Sequence, residues 1–169
     1  YDDELQISAQ YKTLCLINRV DIEKYVAGVV LWEVGAKNPP EFNKVKAIAC
    51  RTYALGNWRR HEFEGFQLCD EVHCQVFKGK TFSQDIHNAA IETAEYIMVD
   101  DSARIVTAAF FSNCGGQTMN SEDVWSKAVS CLRSIHDTFC LSKTNAVWEK
   151  KIPTDLWLDY IKTKYNFPV

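Results

Sequence analysis

Two helical segments separated by the pair Pro39-Pro40 constrain the fold more than any other feature of this sequence. The first segment has Asp21 as a favourable N-cap, and apolar residues then recur at helical spacing. These residues are Ile22, Tyr25, Val26 and Val29. The second segment is predicted to run from Glu41 to Arg59 with one inward face. That face consists of Val45, Ile48, Ala49, Thr52 and Leu55.

Helical and strand-like patterns also occur outside this pair of segments. Residues 1–17 alternate apolar and polar side chains, as a β-strand does. Residues 81–96 repeat with helical spacing, and Thr81 stands three positions before Gln84, as in a capping box. We therefore expect a strand near the N-terminus and a further helix in the middle of the chain.

The second half of the chain continues this mixture of strands and helices. Residues 96–112 are typical of a β-hairpin, because Val99 and Ile105 flank a run of turn-forming residues. A strand followed by a helix is expected within 146–165. Because strands and helices follow no regular alternation, the pattern indicates an α+β fold. With 47% hydrophobic residues, the chain can bury one good-sized core, so a single domain over 1–169 is predicted.

Charge and hydropathy exclude several classes of protein. The formal net charge is −3 and no run of five like charges occurs, so the sequence lacks the basic patch of a nucleic-acid-binding protein or polybasic membrane anchor. No apolar stretch approaches the roughly 18 to 20 residues of a transmembrane helix. No signal peptide opens the chain, and we expect any export signal to lie outside it.

The stretch QLCDEVHC places Cys69, His73 and Cys74 close together, and His61 lies eight residues before Cys69. Thiolates and imidazoles are the ligands that zinc prefers, so these four side chains predict a zinc site. A disulfide between Cys69 and Cys74 is an alternative, as are two buried thiols beside a capping histidine. A third alternative makes Cys74 or Cys114 a nucleophile with histidine as its base. With seven cysteines, complete pairing within the monomer is impossible.

Glu33 extends the apolar stripe of the first helical segment, eleven residues after Ile22. An unpaired carboxylate in apolar surroundings is costly, so Glu33 must be paired, protonated or exposed to a cleft. In a cleft, desolvation would raise its pKa, and the protonated side chain could serve as a general acid. Alternatively, Glu33 pairs with Lys37 or Arg51. Arg51 itself would be either a fixed cation at a site or a member of a buried ion pair.

A glycine-rich loop follows the predicted hairpin in the sequence SNCGGQTMNS. Gly115 and Gly116 can adopt positive φ and allow close approach of a ligand or another segment. Neutral hydrogen-bonding residues surround them, which suits a sugar better than a phosphate. These residues are Ser112, Gln117, Thr118, Asn120 and Ser121. The alternative is a turn followed by a short helix at SEDVW.

Four motifs, in order, resemble the SpoIID/LytB domain of stage II sporulation protein D and the amidase enhancers. They are YVAGVVLWEV, VKAIACRTYAL, GFQLCDEVHCQVFKG and FFSNCGGQTMNSEDVW, so the resemblance covers about residues 20–137. The family arginine matches Arg51, although Cys50 replaces the alanine that usually precedes it. The fold expected from this resemblance is an α+β domain with a glycan-binding cleft.

The resemblance implies a bacterial envelope protein that acts on peptidoglycan outside the cytoplasm. In the sporulation members this activity is that of a lytic transglycosylase, which cleaves between N-acetylmuramic acid and N-acetylglucosamine and leaves 1,6-anhydro ends. The family's catalytic glutamate corresponds to Glu33, with Arg51 assisting. Substrate-binding groups are then expected at Gln75, Ser112, Gly115, Gly116, Thr118 and Asn120. A non-catalytic module that binds glycan and activates a cell-wall amidase is the alternative.

The resemblance also bears on the cysteines and histidines. Some members of the family hold zinc through a His, Cys, His, Cys set, which corresponds to His61, Cys69, His73 and Cys74. Four protein ligands leave no open coordination position, so the expected zinc is structural. Separately, a disulfide from Cys131 to Cys140 is expected in an oxidising envelope, with two reduced surface thiols as the alternative.

Overall fold

The computed structural model describes residues 1–10, 12–143, 146–147 and 149–168, and it combines helices with a small sheet. In chain order the elements are β1 (Glu4–Gln10), β2 (Thr13–Arg19), α1 (Ile22–Val34), α2 (Pro40–Gly56), a 3-10 turn (Glu62–Glu64), α3 (Gln84–Glu92), α4 (Ser121–Trp125) and α5 (Thr154–Tyr165). The α+β class is confirmed. None of the described helices is long and apolar enough to cross a membrane.

Two compact units divide the chain at Phe110, and they are called unit 1 (Tyr1–Phe110) and unit 2 (Phe111–Val169). Unit 1 contains the hairpin and helices α1 to α3, whereas unit 2 contains α4 and α5. That the whole chain forms a single domain stays a prediction.

Helix α1 is the centre of unit 1 and begins as the sequence predicts. The side chain of Asp21 accepts hydrogen bonds from the N–H groups of Glu23 and Lys24, which satisfies two donors of the first turn. Val26, Val29 and Val30 are fully buried against the apolar residues of neighbouring elements. The buried partners are Ala47, Cys50, Phe77, Ile86 and Ala90.

Helix α2 buries a different face from the predicted one. Val45 is 64% exposed and Leu55 37% exposed, so the prediction of an inward face through these residues is wrong. The buried residues are Asn43, Lys46, Ala47, Cys50, Arg51, Thr52 and Ala54. The small side chains of Ala47, Cys50 and Ala54 allow the helix to approach its neighbours closely. Arg51 and Thr52 form hydrogen bonds inside the unit, whereas the buried Asn43 amide has no partner among the described residues. The apolar pattern alone therefore misplaced the buried side.

Arg51 explains why a polar face of α2 is buried. Its side chain is 2% exposed, and its Nε donates to Glu23 Oε1 at 2.9 Å while Nη2 bonds the other carboxylate oxygen. The same guanidinium donates to the carbonyls of Ala90 at 3.0 Å and Tyr96 at 3.1 Å, and contacts Thr93 Oγ1 at 3.5 Å. Arg51 thus ties α2 to the first turn of α1 and to the end of α3.

Residues 75–79 lie directly across α1, and a glycine makes this contact possible. A Cβ at Gly28 would stand 2.6 Å from the carbonyl oxygen of Gly79 and 2.6 Å from the ring of Phe77. Gln75, which is 3% exposed, accepts a hydrogen bond from the Tyr25 hydroxyl at 3.3 Å. The segment is therefore fixed to the helix along its length.

The N-terminal hairpin pairs β1 and β2 in antiparallel register, with Glu4 opposite Arg19. Asp3 joins this hairpin to α1, because its carboxylate accepts from the Asp21 N–H at 2.9 Å and pairs with Lys24. The strand-like pattern at the N-terminus is thus confirmed as a two-stranded sheet. Several apolar side chains of the sheet are exposed, namely Leu5, Ile7, Leu14 and Leu16.

Two local predictions in unit 1 need correction. Helix α3 is capped by Ser83 rather than Thr81, because the Ser83 side chain accepts from the Ile86 N–H. Thr81 lies two residues before this cap and accepts from the Ser83 N–H. The predicted hairpin is reduced to an isolated antiparallel bridge between Val99 and Ile105. Its turn is stabilised locally by hydrogen bonds and a salt bridge between Asp100 and Arg104. These local bonds make a turn without needing paired strands.

Unit 2 is held together by hydrogen bonds more than by apolar burial. In its described part, only Gly116 and Ser121 are buried. Arg133 pairs with Glu122 and holds the pKa of that carboxyl at about 2.

The short helix at SEDVW and the C-terminal helix are confirmed as α4 and α5. The described residues of the predicted strand at 146–152 form no strand, and Trp148 lies outside the described residues.

We expect Arg51→Met to lower the free energy of unfolding by about 3 to 5 kcal/mol, because it leaves the Glu23 carboxylate without its cation in a site only 12% exposed. Urea unfolding followed by helical circular dichroism measures this loss. Arg59→Met is the control, since its ion pair with Glu62 is on the surface and should contribute less than about 1 kcal/mol. Equal losses in both variants would contradict a supporting role for the buried pair.

Candidate active site and metal centre

The four predicted metal ligands come together in unit 1. One donor atom from each of His61, Cys69, His73 and Cys74 lies within 4.8 Å of the other three. The Nδ1 atom of His73 is 3.8 Å from the sulfur of Cys69 and 3.8 Å from the sulfur of Cys74. An ion bound tetrahedrally with bonds of about 2.0 to 2.3 Å sets its ligand atoms roughly 3.5 Å apart. The side chains can therefore hold a metal ion with little movement.

His61 is oriented for this site by a neighbouring carboxylate. Its Nδ1 lies 2.6 Å from Glu64 Oε1, on the 3-10 turn that follows it. Its other nitrogen, Nε2, is buried and has no hydrogen-bond partner among the described residues. A buried ring nitrogen without a partner is costly, and a metal ion would satisfy it. A carboxylate behind a ligating histidine is also the usual arrangement in metal sites.

The two thiols differ in their electrostatics. Burial opposes ionisation of the Cys69 thiol. Hydrogen bonds from the Glu71 N–H and from the side chains of His73, Cys74 and His61 outweigh this effect, so the pKa of Cys69 is lowered to about 7. Burial raises the pKa of Cys74, and the nearby Cys69 sulfur adds to that effect. A cation between the two sulfurs would supply the charge that a second thiolate needs.

The disulfide alternative to a metal site is not formed in the structure. Cys69 and Cys74 are both free thiols, and Nδ1 of His73 lies 3.8 Å from each sulfur. The donor atoms of His61 and Cys69 complete a set of four, which a nucleophile with its base does not need. Cys114 contacts the Asp137 carbonyl and the Cys140 sulfur, and it has no histidine base among the described residues. The geometry thus favours metal binding over a cysteine nucleophile.

Glu33 lies near the C-terminal end of α1 and is half-buried. Its Oε1 accepts a hydrogen bond from the Val76 N–H at 3.1 Å. In the described part of the chain no other hydrogen bond reaches this carboxylate, so its second oxygen has no donor among the described residues. The pairing with Lys37 or Arg51, which the sequence left open as an alternative, does not occur among the described ion pairs.

The metal ligands and Glu33 are connected through a very short stretch of backbone. Cys74 is followed by Gln75, whose side-chain Nε2 donates to the Cys50 carbonyl at 3.3 Å. Val76 comes next, and its backbone N–H donates to Glu33. The candidate metal ligand Cys74 therefore lies two positions before Val76, the residue whose N–H binds Glu33. Fixing the position of Cys74 also limits the movement of this N–H donor.

Two predicted site residues of unit 1 are used inside the protein. Gln75 bonds to Tyr25 and Cys50 and is 3% exposed, so its side chain supports the fold rather than facing solvent. Arg51 makes its described hydrogen bonds to Glu23 and to the α3 region. The buried ion pair, which the sequence left open as an alternative, is what the structure contains.

The glycine loop forms within unit 2, where both glycines have positive φ, +69° for Gly115 and +97° for Gly116. Ser112 is exposed at its start. Thr118 Oγ1 accepts from the Ile135 N–H at 2.9 Å. Asn120 Oδ1 likewise accepts from the Ser134 N–H at 2.9 Å, so both side chains fasten the loop to its own unit. Substrate binding by this set stays a prediction.

A cavity of about 660 Å³ lies in unit 1 beside the hairpin. Aliphatic, aromatic and polar groups from the hairpin, the start of α1, Trp58, residues 65–70 and Phe77 line it, and Glu33 is not among them. The cavity therefore does not coincide with the candidate catalytic group.

Comparison with known proteins agrees with the motifs. A model of the family described as stage II sporulation protein (SpoIID) matches residues 10–99, more than half of the chain. The chain belongs to the SpoIID family. This confirms the resemblance to SpoIID/LytB domains, and the matched residues include Glu33, Arg51 and all four metal-ligand candidates.

Relatives of this SpoIID domain include proteins of several kinds. An uncharacterized protein of Brachyspira hyodysenteriae is 28% identical over 149 residues, covering 85% of this chain and 40% of that protein. Stage II sporulation protein D of Bacillus subtilis is 29% identical over 152 residues, covering 81% and 42%. The amidase enhancer of Bacillus subtilis is 30% identical over 111 residues, covering 66% and 15%. The chain thus spans about two fifths of the sporulation protein.

The structure adds residues that the sequence reasoning missed. Glu64 stands three residues after His61, a spacing that brings the two together on a single turn, and this spacing could have revealed it. Lys46 is only 6% exposed and lies within electrostatic range of Glu33 and Cys50. Burial lowers the pKa of Lys46, and the charges of Cys50 and Glu33 partly offset this effect. The Val76 N–H has no sequence signal, because any residue except proline supplies it.

We expect Glu64→Gln to weaken metal binding about 10- to 100-fold, since the orienting carboxylate behind His61 is lost while the four ligands remain. Competition for Zn²⁺ with a chromophoric chelator measures the affinity. Glu62→Gln is the matched control, because Glu62 is on the same turn but pairs with Arg59 instead. An unchanged affinity in Glu64→Gln would show that the Glu64 contact does not support the metal site.

Proposed function

We propose that this chain is the catalytic part of a peptidoglycan lytic transglycosylase. It would cleave glycan strands between N-acetylmuramic acid and N-acetylglucosamine and leave 1,6-anhydro-N-acetylmuramic acid ends. The observation that carries this proposal is Glu33, a half-buried carboxylic acid with one oxygen held by Val76 and the other free of described donors. Membership of the SpoIID family supports the substrate class.

A single positioned carboxylic acid suits this reaction better than hydrolysis. Hydrolysis of a glycoside usually needs two carboxyl groups, one on each side of the scissile bond. In a lytic transglycosylase the substrate's own C6 hydroxyl replaces the second group or the water. One carboxyl can then act first as acid and afterwards as base.

The proposed steps use Glu33 alone for proton transfer. Protonated Glu33 gives its proton to the glycosidic oxygen as the bond to C1 of the muramic acid breaks. The resulting carboxylate takes the proton of the C6 hydroxyl while that oxygen bonds to C1 and closes the anhydro ring. Glu33 ends in its starting form, and no water is consumed. The Val76 N–H keeps the carboxyl at a fixed angle throughout.

The groups around Glu33 would assist in different ways. Lys46 supplies a buried positive charge that favours the carboxylate formed after the first proton transfer. Arg51 would contribute by holding α1 and α2 together rather than by touching sugar. Within unit 2, the loop of Ser112, Gly115, Gly116, Thr118 and Asn120 stays a separate proposal for a surface that binds glycan.

Zinc is the metal ion that we propose for His61, Cys69, His73 and Cys74. Two thiolates and two imidazoles suit zinc, and a fully ligated ion would supply folding energy rather than an activated water. Its effect on the reaction would be indirect, through Cys74 and the backbone that reaches Val76.

Membership of a family of cell-wall proteins further leads us to propose an extracytoplasmic location.

A second function is favoured by one of the relatives. The amidase enhancer of Bacillus subtilis matches 66% of this chain. On this alternative, the domain binds glycan and activates a cell-wall amidase, and Glu33 has no chemical role. The two functions differ in whether the purified chain alone generates anhydro-sugar ends.

We expect Glu33→Gln to reduce the formation of anhydro-muramyl products about 10²- to 10⁴-fold, because glutamine keeps the bond to Val76 but cannot transfer a proton. Intact and peptide-stripped peptidoglycan are digested and the products resolved by mass spectrometry. Glu41→Gln is the control, an exposed carboxyl on the first turn of α2 that should leave turnover unchanged. Glycan binding without products from the wild type would favour the amidase-activating function instead.

We expect Cys69→Ser to lose the bound metal and to lower kcat, since the segment that orients Glu33 is then less restrained. Native mass spectrometry of protein purified without added metal should give about one zinc per wild-type chain. Cys15→Ser is the control, because Cys15 lies in β2 and is not one of the four clustered donors, so this variant should retain metal and turnover. Full turnover in a metal-free Cys69→Ser variant would contradict the coupling between the metal site and Glu33.

A further inference from the structure

Cys114 and Cys140 form a second pair of sulfur atoms, distinct from the metal centre. Their Sγ atoms are 3.4 Å apart, although 26 positions separate the residues in sequence. Both are free thiols, and both lie in unit 2. The expected partner of Cys140 was Cys131, but Cys131 is exposed and Cys140 contacts Cys114 instead. The prediction of a bond between Cys131 and Cys140 thus does not match the structure.

The surroundings of Cys140 favour its thiolate form. The Cys114 N–H points at the Cys140 sulfur at 3.4 Å. The N–H groups of Gly116 and Gly115 add to this effect, and together these donors lower the pKa of Cys140 against the opposing effect of burial. The positive φ of both glycines turns successive N–H groups to one side, which produces such a concave donor site. Cys140 is therefore the better nucleophile of the two.

Cys114 has the opposite tendency. Burial raises its pKa, and the neighbouring Cys140 and Asp137 add to the rise. Its sulfur lies 3.2 Å from the Asp137 carbonyl oxygen, as expected of a protonated thiol that donates. Cys140 can thus act as the thiolate that attacks an external disulfide, and Cys114 lies close enough to displace the second sulfur from the resulting mixed disulfide.

Existing contacts already hold the two segments together. The Asp137 N–H donates to the Gly116 carbonyl at 3.0 Å. The Leu141 side chain lies against Gly116 so closely that a Cβ at that glycine would stand 3.2 Å from it. A bond of about 2.0 Å between the sulfurs thus needs an approach of only about 1.4 Å.

Unit 2 has little apolar burial to stabilise it, so a cross-link would contribute substantially to its stability. It contains about 60 residues, and none of its described apolar side chains is buried. Small units of this kind rarely have enough apolar burial to be stable, and they commonly use disulfides instead. The pair Cys114–Cys140 would close a loop of about 25 residues, long enough to restrict the unfolded chain substantially.

We propose that Cys114 and Cys140 form a disulfide that fastens the Gly115–Gly116 loop to residues 137–141. The oxidant is a disulfide of a small thiol or of a dithiol protein. The Cys140 thiolate attacks one sulfur of that disulfide, forms a mixed disulfide and releases one thiolate. Cys114 then loses its proton and attacks the Cys140 sulfur, so that the second thiolate leaves. Two protein thiols are oxidised, and one disulfide is reduced to two thiols.

The test uses the full chain, loaded with Zn²⁺ and equilibrated with oxidised and reduced glutathione in varied ratio. Free thiols are then blocked with N-ethylmaleimide, and the peptides are mapped by mass spectrometry. We expect a peptide pair joined through Cys114 and Cys140, 2 Da lighter than the sum of its reduced parts, with Cys131 alkylated. Mapping of both cysteines as alkylated at every ratio, or a link from Cys140 to Cys131, would overturn the proposal.

Thermal unfolding supplies an independent readout. Oxidation should raise the unfolding midpoint of the wild type and of Cys131→Ser by about 5 to 10 °C. Cys114→Ser and Cys140→Ser should show no such rise, although each should still fold because the pair adds stability only when joined. A rise of the same size in Cys114→Ser would assign the stabilisation to another cysteine pair and contradict the proposal.

Discussion

The close packing of residues 75–79 on α1 is the contact on which the rest of the candidate site depends. Gly28 leaves room for the ring of Phe77 and the carbonyl of Gly79, and a methyl group there would meet both at 2.6 Å. This approach brings the Val76 N–H to Glu33 at 3.1 Å. Because Cys74 lies two residues before Val76, the same contact joins the candidate metal site to the candidate catalytic group. One glycine therefore links stability, the proposed metal binding and the proposed chemistry.

A buried ion pair between Glu23 of α1 and Arg51 of α2 fixes the position of α1 relative to α2. Arg51 and Glu23 are almost completely removed from solvent, and the guanidinium has further acceptors in the backbone of α3. Such a pair costs desolvation, but once formed it permits few other arrangements, because a shifted helix would leave a buried charge unpaired. Arg51 thus has its described partners in Glu23 and in the α3 region, and through Glu23 it holds the helix on which Glu33 lies.

Local features were predictable from the sequence, and contacts between distant segments were not. The Asp21 cap, the helix starting at Thr154 and the four metal-ligand candidates depend on short spacings, and the structure agrees with each. The buried face of α2 was misplaced because Lys46 and Arg51 are polar, and an apolar pattern assigns such residues to solvent. The Cys114–Cys140 contact spans 26 positions, and seven cysteines allow many other pairings.

The gathering of four metal donors within 4.8 Å has a consequence for how the protein matures. Cys69 has a pKa of about 7, so without a metal ion it offers a reactive thiolate next to Cys74. The oxidant proposed for Cys114 and Cys140 would then meet this second pair as well, and a bond between Cys69 and Cys74 would remove two of the four candidate metal ligands. A metal ion bound first would occupy both sulfurs. The proposed metal site and the proposed disulfide would thus depend on the order in which metal and oxidant arrive.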